Sequence, residues 1–511
     1  MPSLRPSAVA LGIATSLLIA TGVFAAESKE PEKPKPAKPD TTEPVVTHHQ
    51  ITAGGKVLAY TVTTGELPLK NEQGETEAKI FFMAYTLDGA GPSSSRPMMF
   101  SFNGGPGSAS VWLHLGALGP RRVKMRADGA MPSPPYQLVD NPYTWLDQTD
   151  LCFIDPVGTG YSRASKPELG KKFWGVQGDM ESVGEFIRLY LTRYQRWASP
   201  LFLVGESYGT TRAAALSGYL VERSGIAFNG ILLVSSILNF ETADFTRGNE
   251  LPYSLYLPTY TATAWFHKKL PADLQSKPLG VVLEEVKPWA MGEYARALAM
   301  GDKLTGEART AAIDKLARYT GLDRHYLDLA DLRVDIQHFC KELLRDERRT
   351  VGRLDSRFKG IDESGTGETP EFDPSLAAIR PPYTAMFNQY VRSELNYKSD
   401  AVYYILGGGI GPWDWGPGGR NGFPDVSGSL RAAFSKNPDM KLFVASGHYD
   451  LATPFFATQY TLDHLGLEPA ERARVTTREY EAGHMMYIHE EELAKLKRDV
   501  AEFVRGALGG K

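Results

Sequence analysis

Short apolar runs alternate with one-sided helical patterns through the first half of the chain. The runs that predict buried strands are, in chain order, Met98–Phe102, Leu151–Asp155, Leu201–Gly205 and Gly230–Ser236. A helical pattern precedes the third run, with Asp179 expected as its N-cap. The apolar positions of this helix are Val183, Phe186, Ile187, Tyr190, Leu191 and Tyr194. The alternation predicts an α/β fold with a mainly parallel sheet and helices on both faces.

Other strand patterns lie before and after this region. Two β-rich runs, Lys56–Thr63 and Lys79–Thr86, are separated by a polar loop and predict an antiparallel pair near the start. The later strand-like patterns are Ala401–Leu406, Lys441–Ser446 and Arg474–Tyr480. An amphipathic helix is predicted after them, over Glu490–Leu508.

The region between these two sets of strands has a different character. Residues 241–395 are rich in helical patterns and charge, with amphipathic segments near 307–319 and 334–347. We therefore predict a helical cap domain inserted into a core whose two parts are 48–240 and 396–511. We expect the cap to shape the pocket and the core to hold the chemistry.

The beginning of the chain has the pattern of a secretory signal at residues 1–25. Arg5 supplies a positive charge, residues 8–20 are apolar, and Val23-Phe24-Ala25 has the small-residue cleavage pattern. A Pro/Lys-rich linker is predicted to follow over residues 26–47, because its central stretch, 27–44, has nothing to bury. With no N-x-[ST] glycosylation pattern in the sequence, these features favour a secreted or periplasmic bacterial protein without a membrane anchor after signal cleavage.

Charge and cysteine content argue against two classes of protein, nucleic-acid binders and disulfide scaffolds. The net charge of −4 gives no electrostatic basis for nucleic-acid binding. Cys152 and Cys340 are the two cysteines of a 511-residue chain, so this is not a disulfide scaffold, and we expect two free thiols. The composition indicates no particular oligomeric state.

The candidate nucleophile lies in a G-x-S-x-G motif, Gly205-Glu206-Ser207-Tyr208-Gly209, between a predicted strand and a predicted helix. In such a strand-to-helix elbow the glycines allow a sharp turn and leave the serine hydroxyl uncrowded. The placement therefore predicts Ser207 as a catalytic nucleophile.

A serine hydroxyl needs a base, and the base needs an acid to orient it. Asp450 follows the predicted strand that ends at Ser446, and His484 follows the strand that ends at Tyr480. The chain order Ser, Asp, His is that of α/β-hydrolases. We therefore predict Ser207, Asp450 and His484 as a catalytic triad. His448 does not fit this order and is expected to be a loop or pocket side chain near Asp450, and a zinc site at His448, His484 and His489 lacks the usual spacing.

A glycine-rich turn, Asn103-Gly104-Gly105-Pro106-Gly107, follows the first central strand. Such a turn can direct a backbone N–H at a developing oxyanion, and the residue after the nucleophile supplies a second N–H. Gly105 and Tyr208 are the predicted pair of donors. Without a catalytic serine nearby, the same motif would indicate only a tight turn.

Six motifs in the chain resemble those of the serine carboxypeptidases. They are FNGGPGSASVWLHLGALGP (102–120), NPYTW (141–145), DPVGTGYSR (155–163), GESYG (205–209), the Asp450 loop and AGHM (482–485). The resemblance implies an α/β-hydrolase fold with a cap and the removal of C-terminal residues from peptides through an acyl-enzyme, with no metal or cofactor. It also implies that Asn103 and Glu206 bind the terminal carboxylate of the substrate.

The chain departs from the family pattern at three positions. Ser101 stands where the family usually has tryptophan, Ser108 replaces a cysteine, and Ala117 replaces a second glutamate. The last change bears on how strictly a free C-terminus is required. An esterase or acyltransferase on the same fold is the alternative enzyme, because the triad does not choose between amide and ester. A non-catalytic binding protein is the alternative from another class.

Overall fold

The computed structural model describes residues 43–509, apart from the side chain of Asn421. The predicted signal segment and most of the predicted linker lie outside these residues. The linker prediction, 26–47, is wrong at its end, because the first strand begins at Val45. The β-branched residues Val45, Val46 and Thr47 extend the ladder, and Val45 pairs with Thr64 of the next strand.

The strands are β1 (Val45–Ala53), β2 (Lys56–Lys70), β3 (Thr76–Leu87), β4 (Met98–Phe102), β5 (Arg121–Val123), β6 (Leu138–Asp140), β7 (Asp150–Ile154), β8 (Arg163–Ala164), β9 (Leu201–Ser207), β10 (Gly230–Ser236), β11 (Thr350–Val351), β12 (Lys359–Gly360), β13 (Lys441–Gly447) and β14 (Val475–Tyr480). The main sheet has the order β1-β2-β3-β7-β4-β9-β10-β13-β14, with β8 beside β3. From β1 to β7 neighbouring strands are antiparallel, and from β7 to β14 they are parallel. The antiparallel opening pair and the mainly parallel centre agree with the patterns in the sequence.

The α-helices are α1 (Val111–Leu113), α2 (Gly170–Phe173), α3 (Val176–Arg193), α4 (Tyr208–Arg223), α5 (Leu251–Phe266), α6 (Ala272–Gln275), α7 (Leu279–Trp289), α8 (Ala295–Met300), α9 (Gly306–Thr320), α10 (Arg324–Leu329), α11 (Ile336–Glu342), α12 (Pro374–Ser393), α13 (Gly416–Asn421), α14 (Ser427–Lys436), α15 (Phe455–Asp463), α16 (Pro469–Arg472) and α17 (Glu490–Ala507). Within residues 43–509, none of them is long and apolar enough to cross a membrane.

Apolar side chains cover both faces of the sheet, because successive residues of a strand point to opposite sides. Leu203 of β9 belongs to a cluster with residues of α3, α4 and α14. Val204, the next residue, belongs to a second cluster with residues of α12 and α17. The parallel centre of the sheet is therefore buried on both sides, and its strand ends form the edge where loops can carry a site.

The segment between β10 and β13 contains α5 to α14, and much of its first part has an apolar core of its own. This third cluster includes residues of α5, α7, α9 and α11, together with Tyr449 and Leu451 from the loop after β13. The limits 241–395 for a separate cap remain a prediction. Both cysteines are free and buried, Cys152 in β7 and Cys340 in α11, as the sequence predicted.

Three local predictions are wrong. Residues 401–406 form no strand; Tyr404 and Leu406 make isolated bridges to Gly160 and Ser108, in loops that follow the central strands. The amphipathic segment near 334–347 is wrong only in its extent as one helix: α11 covers Ile336–Glu342, with the Asp335 side chain capping its first turn, and a separate 3₁₀ turn follows at Arg345–Glu347.

The third concerns the start of α3. Asp179 is not the N-cap, because α3 begins at Val176. Its buried carboxylate instead accepts a hydrogen bond from Nε of Arg212, 2.7 Å away. An acidic residue in the first turn of a helix fits either role by sequence, and the ion pair with α4 decides between them.

Candidate active site

Ser207 lies at the junction of β9 and α4, in a backbone conformation that few residues adopt. Its φ is 59° and its ψ is −130°, in the region that is strained for a residue with a side chain. A Cβ on Gly205 would come within 2.1 Å of the carbonyl oxygen of Gly209, and one on Gly209 within 2.9 Å of that of Phe102. Any side chain at either position would clash with the backbone, so both must be glycine. The strand-to-helix elbow predicted from the motif is present.

Asp450 and His484 meet after β13 and β14, which are neighbours in the sheet. Oδ2 of Asp450 lies 2.8 Å from Nδ1 of His484. The carboxylate also accepts hydrogen bonds from the backbone N–H of Ala452 and from both the backbone N–H and the hydroxyl of Thr453, at 2.8, 3.0 and 2.7 Å. These donors hold both carboxylate oxygens, so Asp450 is fixed as the acceptor for Nδ1–H of His484. The Thr453 hydroxyl oxygen also lies 3.2 Å from Nδ1.

The environment of His484 strengthens it as a base. Burial lowers the pKa of His484, but the charge and hydrogen bond of Asp450 and the charge of Glu206 outweigh this effect. The pKa of His484 is therefore raised above its usual value of 6.5. A histidine with such a pKa holds a proton taken from a hydroxyl more firmly.

The loop that carries His484 is fastened to the segment after β11. The backbone N–H of His484 donates to the carbonyl oxygen of Leu354 at 2.6 Å, and that of Gly483 donates to Oδ2 of Asp355 at 3.1 Å. On the other side, the Ser235 hydroxyl donates to the carbonyl oxygen of His484 at 2.6 Å. These partners could not be found from the sequence, because Asp355 and Gly483 are 128 residues apart and no short motif joins them.

Asp355 is itself held by Arg357. Nε and Nη2 of Arg357 donate to the two carboxylate oxygens at 2.9 and 2.7 Å, and Nη1 donates to the carbonyl oxygen of Glu481 at 2.6 Å. Burial disfavours the charged carboxylate, but Arg357 and His489 outweigh burial and hold the pKa of Asp355 well below its usual range. The ionised pair therefore ties the histidine loop to the inserted segment.

A cavity of about 160 Å³ opens beside the nucleophile. Its lining residues are Asn103, Gly104, Gly105, Ser108, Trp112, Glu206, Ser207, Arg353, Leu354, Asp373, Leu376, Ile379, Leu406, His484 and Met485. Ser207 and His484 thus face the same space. Five of the lining residues belong to the range 241–395, in agreement with the expectation that this segment shapes the pocket.

The glycine-rich turn after β4 lies against the start of α4. A Cβ on Gly104 would come within 2.4 Å of the backbone nitrogen of Tyr208, so only glycine fits there. Gly105, with a φ of 100°, lines the cavity next to Ser207. The structure thus brings the turn and the N–H of Tyr208 to the same end of the sheet as Ser207.

Glu206 and Asn103 lie deep in the wall of this cavity, 3% and 1% exposed. Burial raises the pKa of Glu206 to about 7, although the charge of His484 and a hydrogen bond from Tyr487 act in the opposite direction. Oδ1 of Asn103 accepts from the backbone N–H of Leu113 at 3.0 Å, while its Nδ2 makes no close hydrogen bond among residues 43–509. The Asn103 amide lies near enough to Glu206 to lower the pKa of that carboxyl. An amide donor and a carboxyl that protonates near neutral pH therefore face the cavity together.

His448 points elsewhere. Its Nε2 lies 2.8 Å from a carboxylate oxygen of Glu479 on β14. The part of the chain that the structure describes contains no group of three or more His, Cys, Asp or Glu side chains placed to hold a metal ion.

Comparison with known proteins identifies the family that the chain resembles. Residues 63–260 match the family model of the serine carboxypeptidases. Serine carboxypeptidase-like 36 of Arabidopsis thaliana is 30% identical over 169 residues, which are 32% of this chain and 33% of that protein. The pheromone-processing carboxypeptidase KEX1 of Saccharomyces cerevisiae is 32% identical over 158 residues, 28% of this chain and 20% of the relative. The resemblance to serine carboxypeptidases is confirmed, over a match that spans less than half the length of these relatives.

The solved structure of the same yeast protein, a prohormone-processing carboxypeptidase, has a similar fold. It superposes with a TM-score of 0.50 at 17% identity, covering 87% of this chain and 91% of that chain. The chain therefore has the α/β-hydrolase fold that its motifs predicted.

Proposed function

From its similarity to the serine carboxypeptidases, we propose that the chain is a serine-type carboxypeptidase that removes C-terminal residues from peptides. Ser207 is the nucleophile, His484 the general base and Asp450 the residue that orients it. The observation that carries the proposal is the 2.8 Å contact between Asp450 and His484 beside the cavity that Ser207 lines. A buried carboxylate in contact with Nδ1 leaves Nε2 free to accept a proton.

The proposed reaction proceeds in two halves. The Ser207 oxygen attacks the carbonyl carbon of the last peptide bond while its proton passes to His484. The backbone N–H groups of Gly105 and Tyr208 receive the negative charge that develops on the carbonyl oxygen. His484 then gives its proton to the leaving amine, which departs and leaves the shortened peptide as an ester on Ser207. A water molecule attacks this ester while its proton passes to His484, and His484 returns the proton to the Ser207 oxygen as the peptide is released. No metal or cofactor takes part in these steps.

The terminal carboxylate of the substrate binds Asn103 and Glu206 in this proposal. A buried anion needs hydrogen-bond donors, and Nδ2 of Asn103 is a donor that makes no close hydrogen bond in the described chain. Glu206 can donate only when protonated, and a pKa of about 7 makes this form available at neutral and lower pH. Exopeptidase activity follows because only the end of a chain carries this carboxylate.

The signal pattern at residues 1–25 supports a secreted or periplasmic location. The proposed substrates there are peptides. We propose this location from the sequence pattern alone.

The test uses one peptide in two forms, with a free and with an amidated C-terminus, and a small activated ester. Mass spectra over time should show products shorter by single C-terminal residues from the free form, and slower loss from the amidated form. Treatment with a fluorophosphonate probe should label Ser207 and abolish both peptide cleavage and ester hydrolysis. Turnover of the ester without cleavage of either peptide would favour the esterase or acyltransferase, and no labelling by the probe would favour a binding protein.

A further inference from the structure

Glu206 has a partner that no sequence motif indicated. The hydroxyl of Tyr487 donates to Oε2 of Glu206 at 2.5 Å, across 281 residues of sequence. Both side chains are buried, and Tyr487 lies on a single turn, Met486–Ile488, shortly after His484. A hydrogen bond of this length holds the carboxyl in one orientation.

The position of the Tyr487 ring is determined by close packing. A Cβ on Gly116 would come within 2.5 Å of Cε2 of Tyr487, so the ring rests directly on this glycine. Gly116 belongs to the π-helical turn His114–Leu118, which also contains the buried Ala117. Ala117 is the position where the family pattern has a second glutamate, so this turn brings no second carboxyl to Glu206, and the phenol of Tyr487 supplies the hydrogen bond.

The contact divides the two oxygens of Glu206 between two tasks. Tyr487 contacts Oε2, which leaves Oε1 as the oxygen that can meet a ligand in the cavity. The other charged groups around the carboxyl are His484, Asp450 and Arg353, and the phenol of Tyr383 lies in the same cluster.

We propose that Tyr487 is a positioning residue that holds Glu206 through Oε2, presents Oε1 to the C-terminal carboxylate of the peptide, and sets the pH at which the cavity ceases to accept that carboxylate. The inference rests on the proposed function.

Tyr487 changes the pKa of Glu206 in a direction that depends on whether its phenol stabilises the ionised or the protonated carboxyl. A hydroxyl donor stabilises the ionised carboxyl more than the protonated one, so Tyr487 lowers the pKa of Glu206 relative to burial alone. The activity on peptides with a free C-terminus should fall as Glu206 ionises, because two facing carboxylates repel. Without the phenol, Glu206 should stay protonated to a higher pH.

The experiment compares the pH dependence of kcat/KM in the wild type and in Tyr487→Phe. For the free-terminus peptide, the fall on the alkaline side should move to higher pH by about half to one unit in the variant. The amidated peptide and an activated ester have no carboxylate to meet Glu206, so neither should show this alkaline fall in either protein. Tyr383→Phe is the matched control, because Tyr383 is an equally buried tyrosine that also contacts the Gly116 turn, and it should leave the fall in place.

A second variant gives the opposite shift without removing the side chain. Replacement of Tyr487 by 3-fluorotyrosine makes the phenol a stronger donor at nearly constant size, so the fall should move to lower pH. This measurement also serves if Tyr487→Phe does not fold.

Two results would overturn the inference. One is a fall at the same pH in the wild type and in both Tyr487 variants. The other is an equal loss of activity on all three substrates at every pH, which would mean that Tyr487 only fills space. A wild type that hydrolyses the ester but shortens no free-terminus peptide would instead refute the proposed function, and the inference with it.

Discussion

The carboxylate of Asp355 accepts the backbone N–H of Gly483 at 3.1 Å, one residue before His484. Asp355 lies in the inserted range 241–395, which is predicted from the sequence to shape the pocket while the core holds the chemistry. The contact gives the inserted segment a further role, because it also supports the loop of the candidate base. A Cβ on Gly483 would come within 2.5 Å of Cβ of Asp355, so the two backbones are in direct contact.

Asp355→Asn should therefore impair turnover as well as stability. The amide cannot balance the charge of Arg357, and loss of one partner of a buried pair costs about 3–5 kcal/mol in the free energy of unfolding. The loosened histidine loop should reduce kcat by about 10-fold to 100-fold. Urea unfolding and ester kinetics measure the two effects separately.

Asp362→Asn is the matched control. Asp362 pairs with the buried Lys341, and neither residue lines the cavity beside Ser207. This variant should lose stability while the folded fraction keeps its kcat. An equal loss of kcat in both variants would argue that only global stability connects Asp355 to activity.

Ser207→Ala should reduce kcat for peptides and esters by a factor of roughly 10⁴ to 10⁶, with the fold retained. The control is Ser236→Ala, since Ser236 of β10 pairs with Ser207 in the sheet but does not line the cavity. Steady-state rates with protein checked by circular dichroism test the prediction. Residual activity above a few per cent would exclude Ser207 as the nucleophile.

The activity on a neutral ester should fall on the acid side as His484 becomes protonated, because a protonated imidazole cannot accept the serine proton. Since the pKa of His484 is raised above 6.5, the midpoint of this fall should lie above pH 6.5. Asp450→Asn removes the charge that raises the pKa, so the residual activity should have its midpoint at lower pH. A midpoint that Asp450→Asn leaves in place would disprove the assignment of this pair.

Gly160→Ala should destabilise the protein by more than Gly225→Ala. Both glycines have positive φ, 49° and 65°, so the backbone penalty for alanine is similar. A Cβ on Gly160 would overlap Oδ2 of the buried Asp155 at 1.7 Å, whereas nothing lies within 4 Å of one on Gly225. Thermal unfolding of the two variants should show the larger drop in Tm for Gly160→Ala; equal drops would contradict the prediction.

Features whose causes are local could be predicted from the sequence. The elbow at Ser207 depends on glycines two residues away on each side, and the strands of the sheet centre appear as uninterrupted apolar runs. Asp450 and His484 could be found because each directly follows such a strand. Tyr487 and Asp355 could not, because their contacts with Glu206 and Gly483 arise only when segments 281 and 128 residues apart pack together. The run at 401–406 has strand composition, but its neighbours in space are loops rather than a sheet edge.

The adjacency of β10 and β13 determines how the sheet can form. These strands pair directly, yet about 200 residues lie between them. Closing a flexible loop of that length costs roughly 5 kcal/mol of chain entropy before any contact repays it. We therefore expect the inserted helices to collapse on their own apolar cluster first and shorten the gap. In pulse-labelled refolding, amides of α5 and α7 should gain protection from exchange before those of β13; the reverse order would show that the strands find each other across an unstructured loop.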